Sequence, residues 1–197
     1  MTSRATVAPD DRFRLFCALQ LPDDVVSSLV SWQSSTLAGA EARIVPPDHL
    51  HVTLAFLGSR PAADVDAIAE VVQRVARNAR VPLLRVRRYR ETQRVGMLVL
   101  EEELVPGDTY VGRAQELAGA LMQQLEERGV YKRERRGWMP HLTVARFRVP
   151  PKLSLEPPRL AAFSPSGVAL YSSVLHPTGS RYRVLESCSL GIGESGG

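Results

Sequence analysis

Apolar and polar positions alternate with a period of two over "RFRLFCALQL" (12–21), so the chain opens with a β-strand whose Phe13, Leu15, Cys17, Leu19 and Leu21 share one face and which Pro22 ends. Over "DDVVSSLVSWQSSTLAG" (23–39) the spacing lengthens to three and four, which predicts a helix capped by Asp23 or Asp24 and stopped by Gly39. A second helix is predicted over 61–79, where Val65, Ile68, Ala69, Val72, Val75 and Ala76 form one stripe behind an acidic first turn. A third runs over 108–129, with Asp108 as cap and Gly129 as stop. Between them "ARIVPPDHLHVTLAFLG" (42–58) reads as a short strand, a turn at Pro46-Pro47-Asp48 and a longer strand closed by Gly58. Further strands are written in "VPLLRVRRYR", "VGMLVLEEE" and "PHLTVARFRV", then, after a proline-rich linker over 150–159, in "GVALYSSVL" and "RYRVLESCSL", joined by the turn "HPTGS".

Many of these strands follow one another as hairpins, which favours an α+β fold over a doubly wound parallel sheet. The pattern His-x-Thr-x-Ala occurs at His51 and again at His141, 90 residues later, far beyond a solenoid period. We therefore expect one bilobal domain over 1–197 built by pseudo-twofold duplication, with two antiparallel sheets flanked by helices around a central cleft and flexible ends at 1–11 and 192–197.

Composition changes this picture little. A hydrophobic fraction of 44%, no apolar run long enough to cross a bilayer and no apolar signal-like segment in "MTSRATVAPDDR" predict a soluble cytoplasmic protein without membrane contact, and a monomer is the expectation although the sequence does not fix the oligomeric state. Cys17 and Cys188 lie in apolar strands without metal-ligand spacing and read as free buried thiols. The net charge of +4 leans toward a polyanion, and "RVRRYRETQR" (85–94) and "YKRERRGW" (131–138) are either solvated strand ends or phosphate-backbone patches.

The histidines change it more. In a strand, residues i and i+2 point the same way, so His51, Thr53 and Ala55 line one face while Val52, Leu54 and Phe56 anchor the other, and His141, Thr143 and Ala145 repeat the arrangement. A lone His-x-Thr is ordinarily a satisfied surface histidine. Two of the four histidines falling in one repeated pattern instead suggest a split site in which two imidazoles and two hydroxyls converge. That set suits phosphodiester cleavage, with one imidazole taking a proton from the nucleophile, the other giving one to the leaving oxygen, and the hydroxyls holding the anion; neither metal nor other cofactor is required. Arg146 stands at an odd offset from His141, so it reaches the same face only if the strand twists or bulges. His49, two before His51, could form a weak metal pair, and His176 reads as a turn residue.

The segments "RLFCALQLP" (14–22), "VPPDHLHVTLAFLG" (45–58), "MPHLTVARF" (139–147) and "LYSSVLHPTGSRYRVL" (170–185) occur in the order found in the 2H phosphoesterase superfamily, and the chain resembles its RNA 2′,3′-cyclic phosphodiesterases, also called 2′-5′ RNA ligases. The resemblance implies hydrolysis of RNA 2′,3′-cyclic phosphate ends, or of cyclic nucleotides, to 2′-phosphomonoesters. It implies His51 as the acid for the departing 3′ oxygen, His141 as the base, and Thr53, Thr143 and Arg146 as phosphate-binding groups. Trp138-Met139 stands where many relatives have phenylalanine, and Phe56 and Tyr182 are cleft or core aromatics, with core preferred. The alternatives are joining of 2′-5′ linkages, cleavage of 2′-5′ oligonucleotides, or binding of RNA ends without turnover.

Overall fold

The computed structural model describes residues 11–104, 111–134, 137–176 and 179–191, the side chains of Leu175 and His176 excepted. The expected cap Asp108, the middle of the 176–180 turn with the His176 side chain, the arginines at 135 and 136, and nearly all of both termini lie outside the described residues.

Among the described residues the order is β1 (Arg12–Gln20), α1 (Asp23–Thr36), β2 (Arg43–Ile44), a short 3₁₀ turn (Pro47–His49), β3 (His51–Pro61), α2 (Asp64–Asn78), β4 (Leu84–Glu91), β5 (Val95–Glu102), α3 (Arg113–Glu127), β6 (His141–Arg146), β7 (Gly167–His176) and β8 (Gly179–Cys188). This is the α+β architecture expected, with every strand pairing antiparallel in the order β4-β5-β6-β3-β1-β7-β8 and β2 alongside β6. The two expected sheets form two wings of one curled sheet. They meet at the register pair Val52↔Leu142, immediately after the two motif histidines.

The wings are not the two halves of the chain. β1 pairs with β3 on one side and β7 on the other, so the C-terminal hairpin completes the wing begun by the N-terminus. Helix α1 crosses instead to the β6 wing, where Trp32 approaches Tyr89 of β4 at 6.2 Å and Leu37 packs with Ala145 and Phe147. Helices α2 and α3 pack on each other and on β3, with α2 also reaching β7 and β8. Between helices and sheet lies one core that includes Leu15, Leu19, Val52, Leu54, Ile68, Leu121, Leu142 and Leu170, all essentially solvent-free. That burial is the main support of the fold.

Gly129 adopts φ 69° after α3 and its N–H donates to Glu126 O at 2.9 Å, the expected stop. No aspartate caps α1, whose N-cap is Pro22. Helix α3 starts at Arg113 rather than near 108; the Glu102 carboxylate at the end of β5 accepts the Ala114 N–H at 2.9 Å, a cap supplied from another element that local sequence cannot reveal. Gly58 does not close β3. It sits at φ 70° inside the strand, where β1 skips Leu57 between the pairs Leu15↔Gly58 and Phe16↔Phe56, so the glycine serves a bulge. Cys17 is fully buried, which pushes its thiol up to about 12, and Cys188 is a half-buried free thiol.

Candidate active site

The two motif strands are built alike to a degree that the shared triplet alone does not require. From the histidine onward β3 and β6 show the same burial sequence: half-buried, buried, half-buried, buried, buried, exposed. Strict alternation would have buried every second residue. Each strand instead carries a bulge after its threonine: Leu54 is skipped between Cys17↔Ala55 and Ala18↔Thr53, and Val144 between Gly96↔Ala145 and Met97↔Thr143. A bulge adds one residue and reverses the facing of all that follows.

Two expectations change as a consequence. Ala55 and Ala145 leave the polar face and are 2% and 0% exposed. The fifth residue after each histidine replaces them, so Phe56 lines the cleft rather than the core, and Arg146 joins His141 and Thr143. The bulge that Arg146 needed is present.

Both bulges are held by side-chain donors. Gln33 of α1 is 2% exposed, and its amide nitrogen donates to the carbonyls of Val144 at 2.8 Å and Val45 at 3.1 Å. Trp138 donates its indole N–H to Thr53 O at 2.9 Å, beside the other bulge and across the seam between wings. Sequence reasoning missed Gln33, because a glutamine between apolar helix positions reads as the solvated face. Replacing Gln33 by leucine removes both hydrogen bonds from buried carbonyls. We expect a loss of about 1–3 kcal/mol in urea unfolding, together with weaker binding of inorganic phosphate by the folded variant, since the bulge aims Arg146. Phosphate affinity equal to wild type would show that Arg146 is placed without Gln33.

The resulting cleft has a volume of about 490 Å³ and brings together His51, Thr53, His141, Thr143 and Arg146, all five of the residues singled out by sequence. It adds Arg14 and Arg43, which sequence had not assigned there, together with His49, read as a weak metal partner of His51, and Tyr182, for which the core was preferred over the cleft. Tyr182 touches the small cluster of Phe16, Ala18, Ala169 and Tyr171 yet also walls the cleft, and His49 stacks on it at 4.1 Å. With its Nε2 3.6 Å from Asp48, His49 is engaged as part of the wall. Among the described residues, no group of three or more His, Cys, Asp or Glu side chains is placed to hold a metal ion. The arginine-dense 85–94 stretch runs along β4, where Arg85 and Arg87 both pair with Glu101, so part of that charge is spent within the fold.

His141 Nδ1 lies 2.9 Å from Met139 O, so Nδ1–H donates and Nε2 carries the lone pair of the neutral ring. For His51 the backbone of His49, two residues earlier, favours the protonated ring. The His51 ring is 5.0 Å from Phe16 and 5.7 Å from Tyr182. Burial pushes its pKa down to about 4; the bond to His49 opposes this, and the positive charges of His49, Arg146 and His141 add to the depression. An anion between the histidines would reverse that repulsion.

Because the folded value lies below the unfolded one, neutral His51 stabilises the fold fully above about pH 6.5, and that contribution is lost as pH falls toward 4. Against a His51→Gln variant, wild type should therefore lose on the order of 1–3 kcal/mol between pH 7 and pH 4. Parallel urea midpoints across that range would contradict the burial of a neutral ring.

Proton donors and acceptors, hydroxyls and a guanidinium around one opening can bind an oxyanion and move protons on either side of it. Comparison with known proteins points the same way. Residues 19–99 match the family described as LigT like Phosphoesterase. The chain is 32% identical over 184 residues to the RNA 2′,3′-cyclic phosphodiesterase of Thermus thermophilus, covering 90% of each. The crystal structure of TT0787 of Thermus thermophilus superimposes with a TM-score of 0.73 at 32% identity, covering 92% of this chain and 99% of that one. Escherichia coli LigT complexed with 3′-AMP shares the fold, with a TM-score of 0.73 at 23% identity over 91% and 99%.

Proposed function

The chain belongs to the LigT-like phosphoesterases of the 2H superfamily, and from that premise we propose that its cleft hydrolyses RNA 2′,3′-cyclic phosphate ends, or 2′,3′-cyclic nucleotides, to 2′-phosphomonoesters. The observation that carries this reading is the matched pair of bulged His-x-Thr strands opening on one cleft, in a chain 32% identical to a relative named for that activity.

In this reading the cyclic phosphate lies between the histidines. Thr53 and Thr143 donate their hydroxyls to its non-bridging oxygens, and Arg146 neutralises the charge that develops there. His141, held as the Nδ1–H tautomer by Met139, presents a lone pair to water and takes its proton as the new P–O bond forms. His51 is neutral in the empty cleft and gains a proton as the anion enters; it gives that proton to the 3′ oxygen as the P–O3′ bond breaks. The phosphate remains on the 2′ oxygen. Both imidazoles exchange protons with solvent to restore the starting state. Acid, base and anion donors are all side chains, so the chemistry calls for no metal. Both motifs come from one chain, so a monomer suffices.

The depressed His51 value favours a second reading in which the histidines exchange roles. A substrate with sulfur in place of the 3′ oxygen separates the two, because a thiolate leaves without a proton. His51→Ala should regain activity on that substrate while His141→Ala does not, and the opposite pattern would exchange the assignment. Whether water or a second RNA end is the nucleophile is tested by supplying a 5′-hydroxyl oligonucleotide with the cyclic end. We expect hydrolysed ends in excess over 2′-5′ joined product. Predominant joining would replace hydrolysis as the function.

A further inference from the structure

On the β1 wing, the groups assigned to the cyclic phosphate reach only as far as Thr53, which pairs with Ala18. Beyond that rung the register runs through Phe56 opposite Phe16 to Ser59 opposite Arg14. Arg14 pairs in turn with Ser173 of β7, and Ser173 with Tyr182 of β8. Ser180 stands two residues before Tyr182 and so shares its face. Arg14, Ser173, Ser180 and Tyr182 all line the cleft, at the end away from the threonines.

This end offers donors that the fold leaves unused. Arg14 is exposed and, among the described residues, pairs with no carboxylate, whereas Arg80, Arg85, Arg87, Arg128 and Arg133 each do. Its guanidinium lies 4.9 Å over the Phe56 ring, so it hangs at the rung of Phe16, two residues or about 7 Å along β1 from the rung of Thr53. Among the described residues the hydroxyls of Ser173 and Ser180 enter no hydrogen bond. Arg43 comes from the other wing, where β2 pairs with β6, and its guanidinium approaches Gly179 so closely that a Cβ there would stand 2.5 Å from Nη1. Gly179 thus leaves room for a cation between the wings. No aspartate or glutamate is among the described residues that line the cleft. A 2′,3′-cyclic phosphate carries one negative charge, which Arg146 alone matches.

We propose that Arg14, with Ser173 and Ser180, forms a second phosphate subsite, which holds the phosphodiester joining the cyclic-ended nucleotide to the rest of its RNA strand. Arg43 closes the subsite from the opposite wing. The proposal rests on the phosphodiesterase reading above and makes the cleft select an RNA end over a free cyclic nucleotide. The offset of the Arg14 guanidinium from the Thr53 rung is comparable with the step between consecutive phosphates of a nucleic-acid backbone. A planar guanidinium and two hydroxyls suit the two free oxygens of a diester. These contacts reach the backbone only, so the selection is for an RNA end of any sequence.

The test compares adenosine 2′,3′-cyclic phosphate with the same compound bearing a methyl phosphodiester on its 5′ oxygen, so that base, ribose and reacting phosphate are identical. The KM of wild type should be roughly fivefold or more lower for the second at low ionic strength, with the gap narrowing as salt is added. Arg14→Gln keeps part of the stem over Phe56 and removes the charge, and the ratio of the two KM values should then fall to about one. Ser173→Ala deletes a single oxygen, a change the fold tolerates, and should lower the ratio in part. A wild-type ratio near one overturns the subsite. So does a ratio that both variants leave unchanged; a joint rise of the two KM values in Arg14→Gln would assign Arg14 to the reacting phosphate instead. If wild type cleaves neither compound, the phosphodiesterase reading falls and takes the subsite with it.

Discussion

Replacing His141 by alanine lowers kcat on a 2′,3′-cyclic phosphate end by roughly 10²- to 10⁴-fold, and replacing His51 does the same. In the proposed mechanism each imidazole moves a proton during the displacement, and His141 is oriented for this by the Met139 carbonyl. The double variant should fall little further than either single one, because the two rings act on opposite sides of one phosphorus. Neither substitution should unfold the chain: the strands are anchored by Val52, Leu54, Leu142 and Val144, all nearly solvent-free. Circular dichroism and urea midpoints would establish that the loss is chemical. A His141→Ala enzyme within threefold of wild type would place the reacting centre elsewhere.

Arg146→Ala is expected to lower kcat/KM by roughly 10- to 100-fold, the consequence of losing one charge-assisted contact to an anion. Arg146→Lys should recover only part of it, since an ammonium does not reproduce the planar fork of the guanidinium. The effect depends on the bulge at Val144. Without it Arg146 would face the opposite side of β6, away from the histidines. Titration with inorganic phosphate gives a second readout, with binding weakened and its ionic-strength dependence reduced. Unchanged phosphate affinity in Arg146→Ala would mean that Arg14 and Arg43, which also line the cleft, carry the anion instead.

The elements that sequence made legible are those whose cause is local. Period-two runs marked the long strands, the stripe from Val65 to Ala76 marked α2, and the repeated His-x-Thr marked the cleft, because each signal lies within a few consecutive residues. What stayed hidden depends on distant partners. The cap of α3 comes from Glu102, and the bulge beside Thr143 is tied by Gln33 from a helix more than a hundred residues earlier. Phe56 was assigned by strict alternation, which a bulge defeats. One signal could have corrected it. Phe56 and Arg146 both stand five residues after their histidines, so a bulge invoked for one strand of a duplicated pair should have been extended to the other.

The duplication itself was legible as two motifs but not as a topology. Expecting each half of the chain to form a lobe overlooks that β1 is paired on both edges, and that its second partner is the last hairpin. The consequence is mechanical. One wing holds β1, β3, β7 and β8 and the other β2, β4, β5 and β6, so His51 and His141 come into register only when β3 of the first meets β6 of the second at Val52↔Leu142.

The most direct measurement is to incubate the purified protein, in the presence of EDTA, with a short RNA ending in a 2′,3′-cyclic phosphate and to separate the product against 2′- and 3′-phosphate standards. The two-histidine cleft predicts complete conversion to the 2′-phosphate, with the 3′ oxygen as leaving group and no dependence on added metal. Recovery of intact substrate, or of a 3′-phosphate, would contradict it.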